Sequence, residues 1–204
     1  MNFYDRHVLP YLIDGACGTR SIQNGRAKLL TEAYGDVLEI GIGTGRNLPF
    51  YDRAKVSRLR GLDPAPQMHR LAEKRMRTYG MHADVMTLSA EHIPASDASF
   101  DTVVSTFTLC SIPDAGGALR EMRRVLKPGG KLLFFEHGRA PDEGVRKWQD
   151  RLTPYWKPLA GGCHLNRDVT GLLDQAGFTT ERIETRYLPG PKAMTYTYCG
   201  CARP

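Results

Sequence analysis

Three glycines spaced two apart, Gly41, Gly43 and Gly45 in the run DVLEIGIGTGRNLPFY, follow directly on a short apolar segment. Glycine lets the chain turn sharply and lets a ligand reach backbone amides that a Cβ would screen. Asp63 follows about 20 residues on, the spacing of a carboxylate that accepts hydrogen bonds from two ribose hydroxyls. Together these features point to a nucleotide-like cofactor. In a dinucleotide fingerprint, G-x-G-x-x-G, the last glycine would fall where this chain has Arg46, and the Lys and Ser/Thr of a phosphate-binding P-loop are missing. A cofactor without a pyrophosphate fits better. Further along, His137, His164 and Arg167 are side chains able to hold a proton or a charge beside an acceptor. Cys163 reads as a small buried thiol. The CGC run at 199–201 has no second Cys/His pair at ligand spacing, so no metal site is expected.

The elements that would position these residues alternate in period. Apolar runs at 36–42, 58–63, 101–107 and 131–137 read as strands, and three of them are nearly continuous, as strands buried on both faces are. Helical spacing appears at 66–79, through Met68, Leu71, Ala72 and Met76, and at 115–126, through Leu119, Met122 and Leu126, with KPGG as a helix stop. Strands alternating with helices imply right-handed crossovers and a mostly parallel sheet. The glycine loop then lies at the carboxyl end of the first strand, where doubly wound sheets bind ligands. A later helix starts at Asn166 as N-cap and stops at Gly177. Two β-prone segments follow, TERIETRYL and MTYTYCGCA, joined by a link too short for a parallel crossover. One of them must run antiparallel.

The chain of 204 residues suits a single domain. No apolar run approaches the ~20 residues of a membrane span. Lys and Arg number 28 against 22 acidic residues, a net +6, but the positive residues are scattered over helical spacings that place most of them on solvated faces. Five cysteines without regular spacing argue for a reducing compartment, and the start, MNFYDRHVLPYL, has no export signal. The cytoplasm is the expected location.

The runs LEIGIGTGRNLPFY, GLDPAPQM, SAEHIPASDASFDTVVSTFTLCSIPD and LREMRRVLKPGGKLLFFEH resemble, in order, the motifs of class I S-adenosylmethionine-dependent methyltransferases, in the branch of the ubiquinone/menaquinone methyltransferases. The resemblance implies an α/β fold: one Rossmann-like, doubly wound sheet of seven strands in the order 3-2-1-4-5-7-6, with strand 7 antiparallel and helices on both faces. It divides the domain into an N-terminal helical lid (1–30), a cofactor-binding core (36–137) and an acceptor-side cover with closing strands (138–204). It implies S-adenosylmethionine as cofactor and S-adenosylhomocysteine as product. Glu39 and the backbone of Gly41 and Gly43 would hold the methionine end, and Asp63 the ribose. Pro64 and Met68 would flank the adenine, Ala90 and Glu91 would reach its edge, and Thr106 and Phe107 would lie near the amino-acid moiety. Ser89 stands where many relatives carry Asp, so it or the backbone would meet the adenine amino group. Tyr4, with His7 nearby, belongs to a segment that many relatives fold over the cofactor.

Beyond residue 137 the chain is similar to the alkyl thiol methyltransferases, sharing an E-H pair, spaced Trp residues, a G-C pair and an L-x-R-[DE] helix start. This favours a thiol sulfur as acceptor, ahead of a phospholipid or other amine and of a quinone-like ring carbon. The acceptor is expected to be small or lipophilic, with Trp148, Tyr155 and Trp156 as an apolar wall. His137, His164 and Arg167 are the candidates for local catalytic help. Peripheral membrane contact through residues 2–14 as an interfacial helix is a further expectation. Nucleic acid is not the expected partner, because STFTLCSIPD stands where amino-directed DNA enzymes carry Asn/Asp-Pro-Pro-aromatic. A nicotinamide-dependent oxidoreductase and a non-catalytic binding protein are the alternatives from other classes.

Overall fold

The computed structural model describes residues 3–204. Seven strands, β1 (Gly35–Ile40), β2 (Val56–Leu62), β3 (Asp84–Met86), β4 (Phe100–Thr106), β5 (Leu126–His137), β6 (Thr179–Tyr187) and β7 (Tyr196–Arg203), form one sheet. Their order is β3-β2-β1-β4-β5-β7-β6. The neighbours from β3 to β5 pair parallel, whereas β7 runs antiparallel to both β5 and β6. Seven of the eight helices are α1 (Phe3–His7), α2 (Leu9–Cys17), α3 (Arg20–Leu30), α4 (Pro66–Tyr79), α5 (Ala115–Val125), α6 (Glu143–Leu159) and α7 (Val169–Gln175). The eighth, α8 (Lys192–Thr195), is a single turn inside the short link between β6 and β7.

Alternation along the central strands sends residues to two cores. In β5, Leu132 and Phe134 join Leu38, Ile40 and Val103 beneath α5 and α7, while Leu133 and Phe135 join Val37 and Val104 beneath α3. Near-continuous apolar runs result because both faces are covered. Chain order reverses between β1 and β4, so the loops after these two strands diverge and leave a crevice at their carboxyl ends.

Local details depart from the sequence reading. Helix α5 stops just ahead of the KPGG run, at Val125, and residues 127–130 themselves belong to the extended start of β5. The N-cap of α7 is Asp168, whose carboxylate accepts from the Gly171 amide at 3.0 Å, and not Asn166, which donates to Asp150 instead. The proposed interfacial helix over 2–14 is divided into α1 and α2 at Val8, and its residue 2 lies outside the described residues.

The CGC run has a packing explanation. Alternation puts Cys199 and Cys201 on one side of β7, and Gly200 faces the other, where the Arg182 carbonyl at an irregularity in β6 and the Phe134 ring leave no room for a Cβ. Gly200→Ala is therefore expected to destabilise the fold by ~1–3 kcal/mol through overpacking. Denaturant unfolding measures it, and an unchanged midpoint would show that the two strands separate freely.

Candidate active site

The crevice holds a cavity of about 430 Å³, within the ~300–1,000 Å³ usual for small-molecule sites. Its floor is the glycine loop. Gly41, Gly43 and Gly45 all have positive φ, and a Cβ on Gly41 would run into Thr108. The Gly43 amide donates to Asp63 Oδ2 at 2.7 Å, and the Ala65 amide to Oδ1 at 2.8 Å. Each carboxylate oxygen keeps a lone pair for a ligand hydroxyl. Burial pushes the Asp63 carboxyl up from its ordinary value, against these two amides.

Beneath the glycine loop lies a buried polar network. Glu39, at the end of β1, accepts from Tyr51 (2.7 Å) and Asn47 (3.0 Å). Asn47 also donates to Thr106 at 3.0 Å, and Arg26 donates to both Asn47 Oδ1 and Thr106 Oγ1. Burial pushes the Glu39 carboxyl up to about 7, although Tyr51, the Arg26 charge and Asn47 oppose it. Arg26 lines the cavity and its Nε has no partner among the described residues, as is true of Gln67 Oε1. A cavity lined by both a guanidinium and a carboxylate held by two backbone amides suits a ligand that carries a carboxylate and a ribose. S-adenosylmethionine meets that description.

Helices α1 and α2 close the cavity from above with Asp5, Leu9, Ile13 and Cys17. Asp14 fastens α2 to the floor: it accepts from Thr44 (2.6 Å), from Arg46 Nε (2.9 Å) and from Arg75 (3.0 Å). Burial alone would raise the Asp14 carboxyl, but the hydrogen bonds from Arg75, Arg46 and Thr44 hold it down at about 2. Arg46 thus occupies the third-glycine position of a dinucleotide loop because it clasps the lid.

Phe107, just past β4, has φ 54°, uncommon for a bulky residue, and its amide donates to the Phe135 carbonyl at 2.8 Å. Its ring lines the cavity and stacks at 6.1 Å on His137. Behind it, His137 Nε2 lies 3.1 Å from Cys163 Sγ, and one donor atom from each of Cys110, His137 and Cys163 fits within 4.8 Å of the others. The hydrogen bond with Cys163, together with His137, holds the Cys110 thiol well below its ordinary value and drives Cys163 far above its own.

The residues expected from sequence divide accordingly. Glu39, Gly41, Gly43, Asp63, Pro64, Met68, Ser89, Ala90, Thr106 and Phe107 all line the cavity. Glu91 does not: its carboxylate receives the Asp114 amide and the Ser89 hydroxyl. Tyr4 is not in the lining either, its hydroxyl spent on the Leu159 carbonyl. His137 stands behind Phe107. His164 and Arg167 are tied to backbone, His164 Nδ1 at 3.0 Å from the Cys110 carbonyl and Arg167 donating to that of Ile112 at 2.6 Å. Trp148, Tyr155 and Trp156 are not among the residues lining this cavity. The buried face of α6 carries Gln149 and Thr153, leaving Trp148 57% and Tyr155 73% exposed.

Arg26, Asp14 and Gln67 were missed. Arg26 left one trace, an arginine interrupting the helical stripe Ile22, Leu29, Leu30. Asp14 and Gln67 left none.

A family model described as a methyltransferase domain matches residues 38–134. The chain is 36% identical over 179 residues to the thiol S-methyltransferase TMT1B of Homo sapiens, covering 82% of this chain and 72% of that protein. The chain belongs to the class I S-adenosylmethionine-dependent methyltransferases. A phosphatidylethanolamine N-methyltransferase of Cereibacter sphaeroides is 32% identical over 106 residues, half of each chain. The fold matches a solved S-adenosylmethionine-dependent methyltransferase of Thermotoga maritima with a TM-score of 0.67 at 22% identity, covering 98% of this chain and 96% of that one. The cofactor of this methyltransferase is S-adenosylmethionine, in agreement with the open groups on Arg26, Asp63 and Gln67.

Two outcomes follow for the methyltransferase. Asp14→Asn weakens the lid clasp and is expected to lower S-adenosylhomocysteine affinity by about ten- to a hundredfold, the worth of a charge-assisted hydrogen bond or two. Calorimetric titration reads this, and an unchanged affinity would mean that α2 stays closed without Asp14. Between the ordinary glutamate value of 4.5 and about 7, native Glu39 keeps a proton that the unfolded chain has released. This residue therefore makes stability fall as pH rises through that window. Glu39→Gln should flatten the fall in Tm of the cofactor-free protein, and an identical slope would show that Glu39 ionises normally.

Proposed function

We propose that the enzyme transfers the methyl group of S-adenosylmethionine to the sulfur of a small lipophilic thiol. The observation that carries this reading is the lining of the loop after β4. Phe107, Thr108, Ser111, Ile112 and Pro113 face the cavity there, and none is titratable in the neutral range. An amine or ring carbon needs a base placed beside it, whereas a thiol with its pKa near ~8.5 needs little more than an apolar, positioned site. The 36% identity to a human thiol S-methyltransferase supports the same acceptor.

When bound, S-adenosylmethionine would supply an electrophilic methyl on a sulfonium sulfur, suited to in-line transfer to a positioned acceptor sulfur that has given its proton to water. In our reading Arg26 holds the methionine carboxylate, Glu39 and the Gly41 and Gly43 backbone surround the amino end, and Asp63 takes the ribose hydroxyls. Pro64, Met68, Ser89 and Ala90 enclose the adenine. Thr106 and Phe107 would lie beside the amino-acid end, and Leu9 and Ile13 of α2 would exclude water from the cavity.

A second feature bears on where the acceptor comes from. Trp148, Leu152, Tyr155 and Leu159 repeat along α6 at i, i+4, i+7 and i+11, and Phe3, Val8, Tyr11 and Leu12 are exposed on α1 and α2 nearby. Tyr4 links the two groups through Leu159. We read this face as one that rests on a lipid surface from which a lipophilic acceptor enters. No helix of the described residues is long and apolar enough to cross a membrane. Five free cysteines support a reducing compartment, and the cytoplasm is our reading.

The test is cofactor turnover with alkanethiols, phosphatidylethanolamine vesicles and demethylquinones in parallel. Turnover is expected with the thiols alone. Methylated lipid or quinone with inert thiols would sink the thiol assignment.

A further inference from the structure

Three soft donors that stand far apart in sequence converge behind the acceptor end of the cavity. Cys110 lies in the loop after β4, His137 ends β5, and Cys163 lies between α6 and α7. All three are buried, and a donor atom from each lies within 4.8 Å of the others. In a tetrahedral zinc site, bonds of ~2.0–2.3 Å place such donors about 3.5–3.8 Å apart. Side-chain rotations of about an ångström would reach that geometry from this one.

The surroundings hold the donors where they are. Consecutive positive φ at Gly161 (59°) and Gly162 (88°) turn the chain so that Cys163 faces inward. The His164 amide donates to the Cys110 carbonyl at 2.8 Å, and Arg167 donates to the Ile112 carbonyl, so the two cysteine-bearing loops are stitched together. His164 and Arg167 act in this as positioning residues. On the cavity side the cluster is flanked by Ser111, next to Cys110, by Phe107, stacked on His137, and by Gly161, all part of the lining.

We propose that Cys110, His137 and Cys163 bind a zinc ion whose fourth position faces the cavity and takes the acceptor thiol as a thiolate. Two thiolates and an imidazole match the donor preference of zinc, and three protein ligands with an open position are the pattern of sites that act on a substrate. Each thiol that binds exchanges its S–H bond for an S–Zn bond and gives its proton to water, so no oxidant or reductant is involved. A coordinated thiol is deprotonated at neutral pH, which supplies the nucleophile that the lining of the loop after β4 does not. The fourth-ligand part rests on the thiol reading above, whereas the metal site does not.

The test uses the full chain, purified under reducing conditions, stripped with a chelator and titrated with Co²⁺ alone. Stoichiometric uptake is expected, with a thiolate-to-cobalt charge-transfer band and the strong visible bands of a tetrahedral ion. Cys110→Ser and Cys163→Ser should each weaken uptake by at least about tenfold, while Cys201→Ser matches the wild type and all variants still bind S-adenosylhomocysteine. Absence of uptake by the wild type, equal uptake by the site variants, or formation of a Cys110–Cys163 disulfide in place of metal binding overturns the site. An alkanethiol added with S-adenosylhomocysteine should shift the visible bands. Bound cobalt with unshifted bands overturns thiol ligation while upholding the metal site, and zinc-loaded enzyme that turns over no thiol counts against the acceptor reading alone.

Discussion

A guanidinium cannot remain buried without partners, and the position of Arg26 organises much of this molecule. Its hydrogen bonds reach Asn47 in the turn after the glycine loop and Thr106 at the end of β4, and Asn47 passes the connection on to Glu39 in β1. One side chain of α3 therefore ties together the ends of the two paired strands whose following loops diverge to leave the crevice. Leaving any member of the network unpaired would cost the full desolvation of a polar group, so the set holds together or fails together. Arg26 also lines the cavity, and its Nε is left without a partner among the described residues.

The lid depends on a second, more exposed cluster. Asp14 gathers Thr44, Arg46 and Arg75, which belong to the glycine loop and to α4. Floor and lid thus share residues: the glycine loop receives the ligand and also receives the helix that covers it. Any displacement of α2 would therefore break contacts of that loop as well. This suits an enzyme whose reaction gains from excluding water more than from any single proton transfer.

The sheet and the cofactor end were legible because their signals are local. The near-continuous runs in β1, β4 and β5 announce burial on both faces, and the glycine loop and Asp63 sit at a spacing set by the single crossover from β1 to β2. The acceptor side was not legible, because its geometry arises from loops that meet only in three dimensions. His164 and Arg167 have the residue types of catalytic groups but are consumed by the Cys110 and Ile112 carbonyls. Trp148 and Tyr155 are large and apolar, yet the turn of α6 directs Gln149 inward and sends them out. Cys163 looked inert alone, and no spacing rule connects it with Cys110 and His137.

The sheet order carries a consequence for how the molecule is assembled. β7 is inserted between β5 and β6, so β5 cannot acquire its second neighbour until residues 196–203 have been synthesised. During translation the half built from β1 to β5 emerges with β5 as an unpaired edge, its amides and carbonyls open to other chains. The parallel half can take shape early. His137, at the tip of that edge, gains its strand partner Thr197 only when the last strand docks, so the two ends of the crevice are completed at different times.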